Sequence, residues 1–144
     1  MTTPPATGPL GHLRVLELGS TIAGPFCGRL LADFGAEVIK VEPPAGDYAR
    51  QLGYFPHDVP DIEQAAQFVN YNRNKLGITL DVFRPEGRAL LDRLLPDTDI
   101  LIVSYTPSQF EQLALDYDHL KALNPALVIL SITPWGLTGP YKDY

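Results

Sequence analysis

The chain has 144 residues, 17 acidic and 11 basic side chains for a formal net charge of −6, and one cysteine. That length suits a single domain burying roughly two thirds of its unfolded surface, with no need of disulfide or metal. The lone Cys27 excludes an internal disulfide and suits a reducing cytoplasm, and basic residues that form no run make nucleic acid and anionic membrane poor partners.

The opening MTTPPATGPLG has no basic n-region and no apolar h-region, so residues 1–11 read as a flexible leader, with the domain spanning 12–144. LRVLELG (13–19) is an apolar run of strand type. AGPFCGRLLADFG (23–35) follows as a helix with Phe26, Leu30, Leu31 and Phe34 on one face, Pro25 in its first turn and Gly35 at its close. EVIKVE (37–42) is the next strand. After a loop rich in Pro, Gly and Asp, the spacing predicts a helix around 62–69, then NYNRNK and a short strand GITLDV (77–82).

RPEGRALLDRLLPDTD repeats the grammar, with Pro85 near a helix start, Leu90, Leu91, Leu94 and Leu95 as its apolar stripe, and Pro96 as the stop. DILIVSY (99–105) is a strand, PSQFEQLAL a short helix from Pro107, DYDHLKALN a helix capped by Asp116 or Asp118, and LVILSI (127–132) the last strand. Strands of Val, Ile and Leu without polar alternation are covered on both faces. The expected fold class is therefore α/β: a Rossmann-like open parallel sheet with helices on both faces. Ligands bind such sheets beyond the carboxyl ends of the strands, which points to the segments after residues 19, 42, 103 and 132.

Glu42 stands at a strand end, about where a ribose-binding acid falls in a dinucleotide fold. That reading requires a G-x-G-x-x-G turn upstream, and LGSTIAGP supplies only Gly19 and Gly24, so the fingerprint fails. The alternative is a carboxylate that caps nearby amides or pairs with Arg50. NRNK packs two amides and two cations, Asn72, Arg73, Asn74 and Lys75, before a strand; it is either a phosphate grip or a solvated turn. Gly24-Pro25 is either an anion-binding helix start or simply a helix start. Cys27 reads as a small core residue. His12, His57 and His119 lack ligand spacing, so no metal site is assigned.

Taken together, AGPFCGRLLADFGAEVIKVEPPAGDYAR, NRNK followed by LDV, PEGRALLDRLLPDTDILI and NPALVILSITPWGLTGPY resemble the family III CoA-transferases, the group that also holds the α-methylacyl-CoA racemases. The resemblance covers the chain from Leu13 onward. It implies a Rossmann-like domain that binds coenzyme A at its strand ends, with no tightly bound cofactor, in enzymes built as interlocked homodimers. It assigns Asn72, Arg73, Asn74 and Lys75 to the wall of the CoA site, and Ser104-Tyr105 to a corner where Tyr105 offers its ring to the adenine. Pro43 stands where many relatives carry Arg, and Gln112 where they carry Arg or Lys, which removes two expected phosphate partners.

The implied activity is transfer of CoA from an acyl-CoA to a carboxylic acid through an aspartyl mixed anhydride. The family's reacting Asp falls past the G-P-Y motif and past Tyr144, so no catalytic residue is assigned; Asp143, though near, matches neither family motif. The chain is accordingly expected to be an N-terminal part of the large domain, its sheet incomplete. Two alternatives stand beside the transferase: a racemase or isomerase on the same domain, or a degenerate scaffold.

Overall fold

The computed structural model describes residues 8–142 and 144, so Asp143 and residues 1–7 of the expected leader lie outside the described residues. Five strands, β1 (Arg14–Leu18), β2 (Glu37–Glu42), β3 (Leu76–Thr79), β4 (Ile100–Val103) and β5 (Val128–Ser131), pair in parallel in the order β3-β2-β1-β4-β5. The helices between them are α1 (Ala23–Asp33), α2 (Ala66–Asn72), α3 (Pro85–Leu94), α4 (Pro107–Gln112) and α5 (Tyr117–Leu123).

Alternation along the strands divides the core in two. Leu16, Leu18, Leu101 and Val103 pack with Leu91 and Leu95 from the α3 segment and Leu120 of α5. Val15, Val38 and Ile102 pack with Ala32 and the flanking Cys27 and Leu31 of α1. The sheet therefore carries helices on both faces, as the residue pattern requires, and each fully buried Leu or Val contributes about 1.5–3 kcal/mol. The central strands β1 and β4 are almost wholly buried, whereas β3 and β5 are edge strands with much of their surface open.

Local signals explain the helix starts. Pro85 and Pro107 open α3 and α4, Thr106 and Gln109 form a reciprocal capping box, and the Asp116 carboxylate accepts from His119 N at 2.9 Å. Gly35 closes α1 at φ +102°, a conformation that suits glycine.

Four expectations change. Three of the four large residues expected on one face of α1 turn away from the sheet: Phe26, Leu30 and Phe34 are 44–57% exposed, Leu31 flanks the core, and the buried residues are Gly24, Pro25, Gly28 and Ala32. The reason is close approach, because a Cβ on Gly28 would collide with the Glu17 carboxylate beneath it. The helix expected at 62–69 begins instead at Ala66, and Leu90 turns outward from α3 while Leu91 is buried. Residues 8–11 form a turn held by Leu10 N to Phe34 O (3.1 Å) and Gly11 N to Gly8 O (3.1 Å), so this part of the leader is tied to the end of α1.

Candidate functional site

The chain builds β1, β2 and β3 outward in one direction, and α3 then carries it back to β4 on the other side of β1. At that reversal the loops leaving β1 and β4 part, opening the crevice in which open α/β sheets take their ligands. A cavity of about 170 Å³ lies there, lined by Gly19 and Ser20 after β1, Glu42, Pro43 and Asp47 after β2, and Tyr105 after β4. Phe83, which follows β3, completes the wall, its ring 5.7 Å from that of Tyr105. Burial, with Asp81 nearby, pushes the Tyr105 phenol up to about 12, so it presents a neutral hydroxyl and an apolar ring.

Glu42 does not wait for a ribose. Its Oε2 accepts from Asp47 N at 2.8 Å and Arg50 Nε at 2.7 Å, and its Oε1 from Arg50 Nη2 at 2.9 Å. Burial raises its proton affinity, but these bonds and the guanidinium charge prevail and hold the carboxyl below its ordinary value. Arg50 also lies over the Phe68 ring at 3.6 Å and reaches Glu63 at 3.0 Å, so one cation joins the loop after β2 to the segment entering α2.

Beneath α1, four charges from four chain segments meet. Lys40 Nζ contacts Glu17 Oε1 at 3.1 Å, Gly19 O at 2.8 Å and Asp47 Oδ2 at 2.7 Å. Lys75 Nζ contacts Glu17 Oε2 at 2.7 Å, Pro25 O at 2.8 Å and Asn72 Oδ1 at 3.0 Å. Both ammonium groups are 2% exposed and Glu17 is fully buried. Two cations and two carboxylates cancel, as buried ions must. Burial still leaves Lys75 below its ordinary lysine value, against the pull of Glu17.

The residues expected to form the CoA wall thus divide. Lys75 spends its three protons on internal acceptors. Asn72 serves it as one of these and donates to Phe68 O at 2.9 Å, while Asn74 donates to Asp33 at 2.6 Å near the end of α1. Arg73 is exposed and lines a separate groove with Tyr54, Phe55 and Val69. Ser104 Oγ is buried without a hydrogen-bond partner against Gly19 and Gly24, and Tyr105 faces the crevice. The first turn of α1 connects the two sets, since Gly24 meets Ser104 and the next carbonyl receives Lys75.

Pro43 lies in the crevice wall, and Gln112 is exposed at the end of α4. Cys27 is half-buried with its thiol pushed up by burial and then by Glu17, the reverse of what a nucleophile requires. His119 stands 3.5 Å from Asp92. Among the described residues no cluster of three or more His, Cys, Asp or Glu side chains is placed to hold a metal. A larger, mainly apolar groove of about 760 Å³ lies between α4, α5 and β5.

Fold and crevice together define a doubly wound α/β domain with an open crevice at its topological switch point. The chain belongs to CoA-transferase family III, which residues 10–144 match. It is 46% identical over 136 residues to the succinyl-CoA–D-citramalate CoA-transferase of Chloroflexus aurantiacus, covering 94% of this chain and 33% of that protein. It is 43% identical to the succinate–glutarate CoA-transferase of Agrobacterium fabrum, covering 94% of this chain and 35% of that one. Among solved structures, Rv3272 from Mycobacterium tuberculosis superposes with a TM-score of 0.86 at 36% identity over 98% of this chain and 38% of its own. A CAIB/BAIF family protein from Brucella suis gives 0.84 at 42% identity over 94% and 36%. The chain spans about a third of the length of the curated relatives it matches.

Proposed function

We propose that this chain is the part of an acyl-CoA:carboxylate CoA-transferase that receives the nucleotide end of the CoA thioester. The whole enzyme moves CoA from an acyl-CoA to a carboxylic acid. The observation that carries this reading is the crevice at the β1/β4 reversal, with Tyr105 and Phe83 side by side in its wall. An aromatic surface of this kind stacks on adenine with little regard to what lies beyond it. Each of the three carboxylates in the wall, Glu42, Asp47 and Asp81, has a basic partner, Arg50, Lys40 and Arg84 respectively, which limits its repulsion of phosphate.

In the transfer, an aspartate carboxylate attacks the thioester carbon, the C–S bond breaks, and a mixed anhydride and CoA thiolate result. That aspartate belongs to sequence outside these residues. The thiolate must stay in place while the donor acid leaves and the second acid arrives, and a grip on the nucleotide provides this without touching the reacting atoms. In this division of labour, Tyr105 faces the ligand with Ser104 packed behind it against Gly19 and Gly24, Arg73 is an exposed cation open to phosphate, and Asn72, Asn74 and Lys75 support α1 from beneath. A cytoplasmic homodimer is the setting we infer for the full-length enzyme; the single free Cys27 and the exposed apolar residues of α1 support it.

The test is calorimetric titration of the full-length protein with CoA and acetyl-CoA. Micromolar binding is expected, weakened by roughly 1–3 kcal/mol in Tyr105→Ala, the usual worth of one base-stacking ring. Absence of heat at millimolar ligand, or unchanged affinity in that variant, overturns the assignment.

A further inference from the structure

The turn joining β1 to α1 holds Thr21 at φ +66°, a left-handed conformation that a β-branched residue adopts only under constraint. No side chain caps the helix that follows, so the constraint does not come from α1 itself. It comes from Asp47, which lies 26 residues away in the loop after β2. Asp47 Oδ1 accepts from Thr21 N at 3.1 Å, Ser20 Oγ at 2.7 Å and Ala49 N at 2.8 Å. Its Oδ2 is 2.7 Å from Lys40 Nζ, which itself donates to Gly19 O at 2.8 Å. Three consecutive residues of the turn, Gly19, Ser20 and Thr21, are therefore tied to one buried ion pair.

We propose that Asp47 is a positioning residue for the crevice, holding the strained Ser20-Thr21 turn of one wall in register with the Pro43–Asp47 loop of the other. This rests on the reading of the crevice as the CoA site. Asp47 does not need to touch the ligand. It is 2% exposed and lies in the cavity wall beside Gly19 and Ser20, the groups that it orders. A carboxylate suits the task because one oxygen gathers three donors while the other keeps the Lys40 charge compensated. Without it, Thr21 has no reason to keep a positive φ, and relaxation of the turn moves both Ser20 and the first turn of α1. The wall must then be re-formed by the ligand, and binding is weakened by that cost.

The experiment uses the full-length protein and three variants, Asp47→Ala, Thr21→Gly and the double variant, with CoA affinity from calorimetry and amide hydrogen exchange of residues 20–24. Asp47→Ala is expected to lower affinity roughly tenfold or more, the order of one charge-assisted hydrogen bond, and to speed exchange in the turn. Thr21→Gly accepts positive φ freely, so in its background the same Asp47→Ala change is expected to cost much less affinity. A role limited to overall stability would give the same loss in both backgrounds, and that result overturns the proposal. Unchanged exchange at residues 20–24 in Asp47→Ala also overturns it. If the unaltered protein does not bind CoA, the function proposed above fails, whereas the exchange comparison still decides whether Asp47 holds the turn.

Discussion

Lys75 Nζ meets Glu17 Oε2 at 2.7 Å across 58 residues of sequence, in a space closed by α1 above and the sheet below. The contact makes Glu17 the shared counter-ion of two buried lysines, so its removal is more serious than loss of one bond. Glu17→Gln keeps the shape and leaves two ammonium groups with one remaining carboxylate. A loss of about 3–5 kcal/mol is expected, the usual cost of breaking a buried ion pair from one side. Urea unfolding followed by circular dichroism reads it directly, and a loss below about 1 kcal/mol would show that water reaches this space.

Gly28 tests the close approach of α1. Gly28→Ala drives a methyl group into the Glu17 carboxylate, which two lysines hold in place, so α1 or the carboxylate must move. Destabilisation of roughly 1–3 kcal/mol is expected, as for other overpacked cores. Gly53→Ala is the control, since nothing lies within 4 Å of the added atom, and it should stay within about 0.5 kcal/mol.

Acid should weaken the fold through Glu42 and Asp47. Burial raises both, but hydrogen bonds and the charges of Arg50 and Lys40 leave both below their ordinary values. Near pH 4 the unfolded chain therefore binds more protons at these sites than the folded one, so their stabilisation is present above the ordinary carboxylate range. It is lost as pH falls through the lowered folded values. Thermal midpoints recorded from pH 7 to pH 3 should be nearly level at first and drop below about pH 4. A flat profile to pH 3 would mean that neither carboxylate is depressed.

The outward row on α1 gives an association prediction. Ile22, Phe26, Leu30 and Phe34 recur every fourth residue, each between 44% and 57% exposed. Exposed apolar surface of this extent marks a face that another surface covers. Residues 1–144 prepared alone should sediment with a mass that rises with concentration, and Phe26→Gln with Leu30→Gln should reduce that dependence. A monomer at all concentrations would argue that the row is tolerated in water.

The strands and most helix starts were legible because their signals are local: Val, Ile and Leu runs, Pro85 and Pro107 at first turns, Asp116 as a cap, Gly35 as a stop. The side of α1 that faces the sheet was not, because hydrophobicity ranks Phe and Leu above Gly, whereas close packing on a charged strand residue selects Gly. The site was half legible. Tyr105 falls in the crevice, as its place after β4 requires, yet Lys75, which reads as an exposed cation in NRNK, is drawn inward by a carboxylate that lies far off in sequence. One overlooked signal was available. Glu17 and Lys40 are charges flanked on both sides by apolar residues within their strands, and strands that pair in register place them side by side. Asp47 and Phe83 carried no such mark, since their roles depend on loops whose paths only the folded chain reveals.

The buried charges also bear on how a ribosome-bound chain matures. Glu17, Lys40 and Asp47 emerge first and can meet as soon as β1 and β2 pair, but that trio carries one negative charge too many until residue 75 is synthesised. The early β1-α1-β2 unit is thus electrostatically unfinished, and its closure must wait for a partner that arrives across a long stretch of loop. α1 is therefore expected to lock onto the sheet only once residue 75 can reach Glu17, as for other topologies governed by distant contacts.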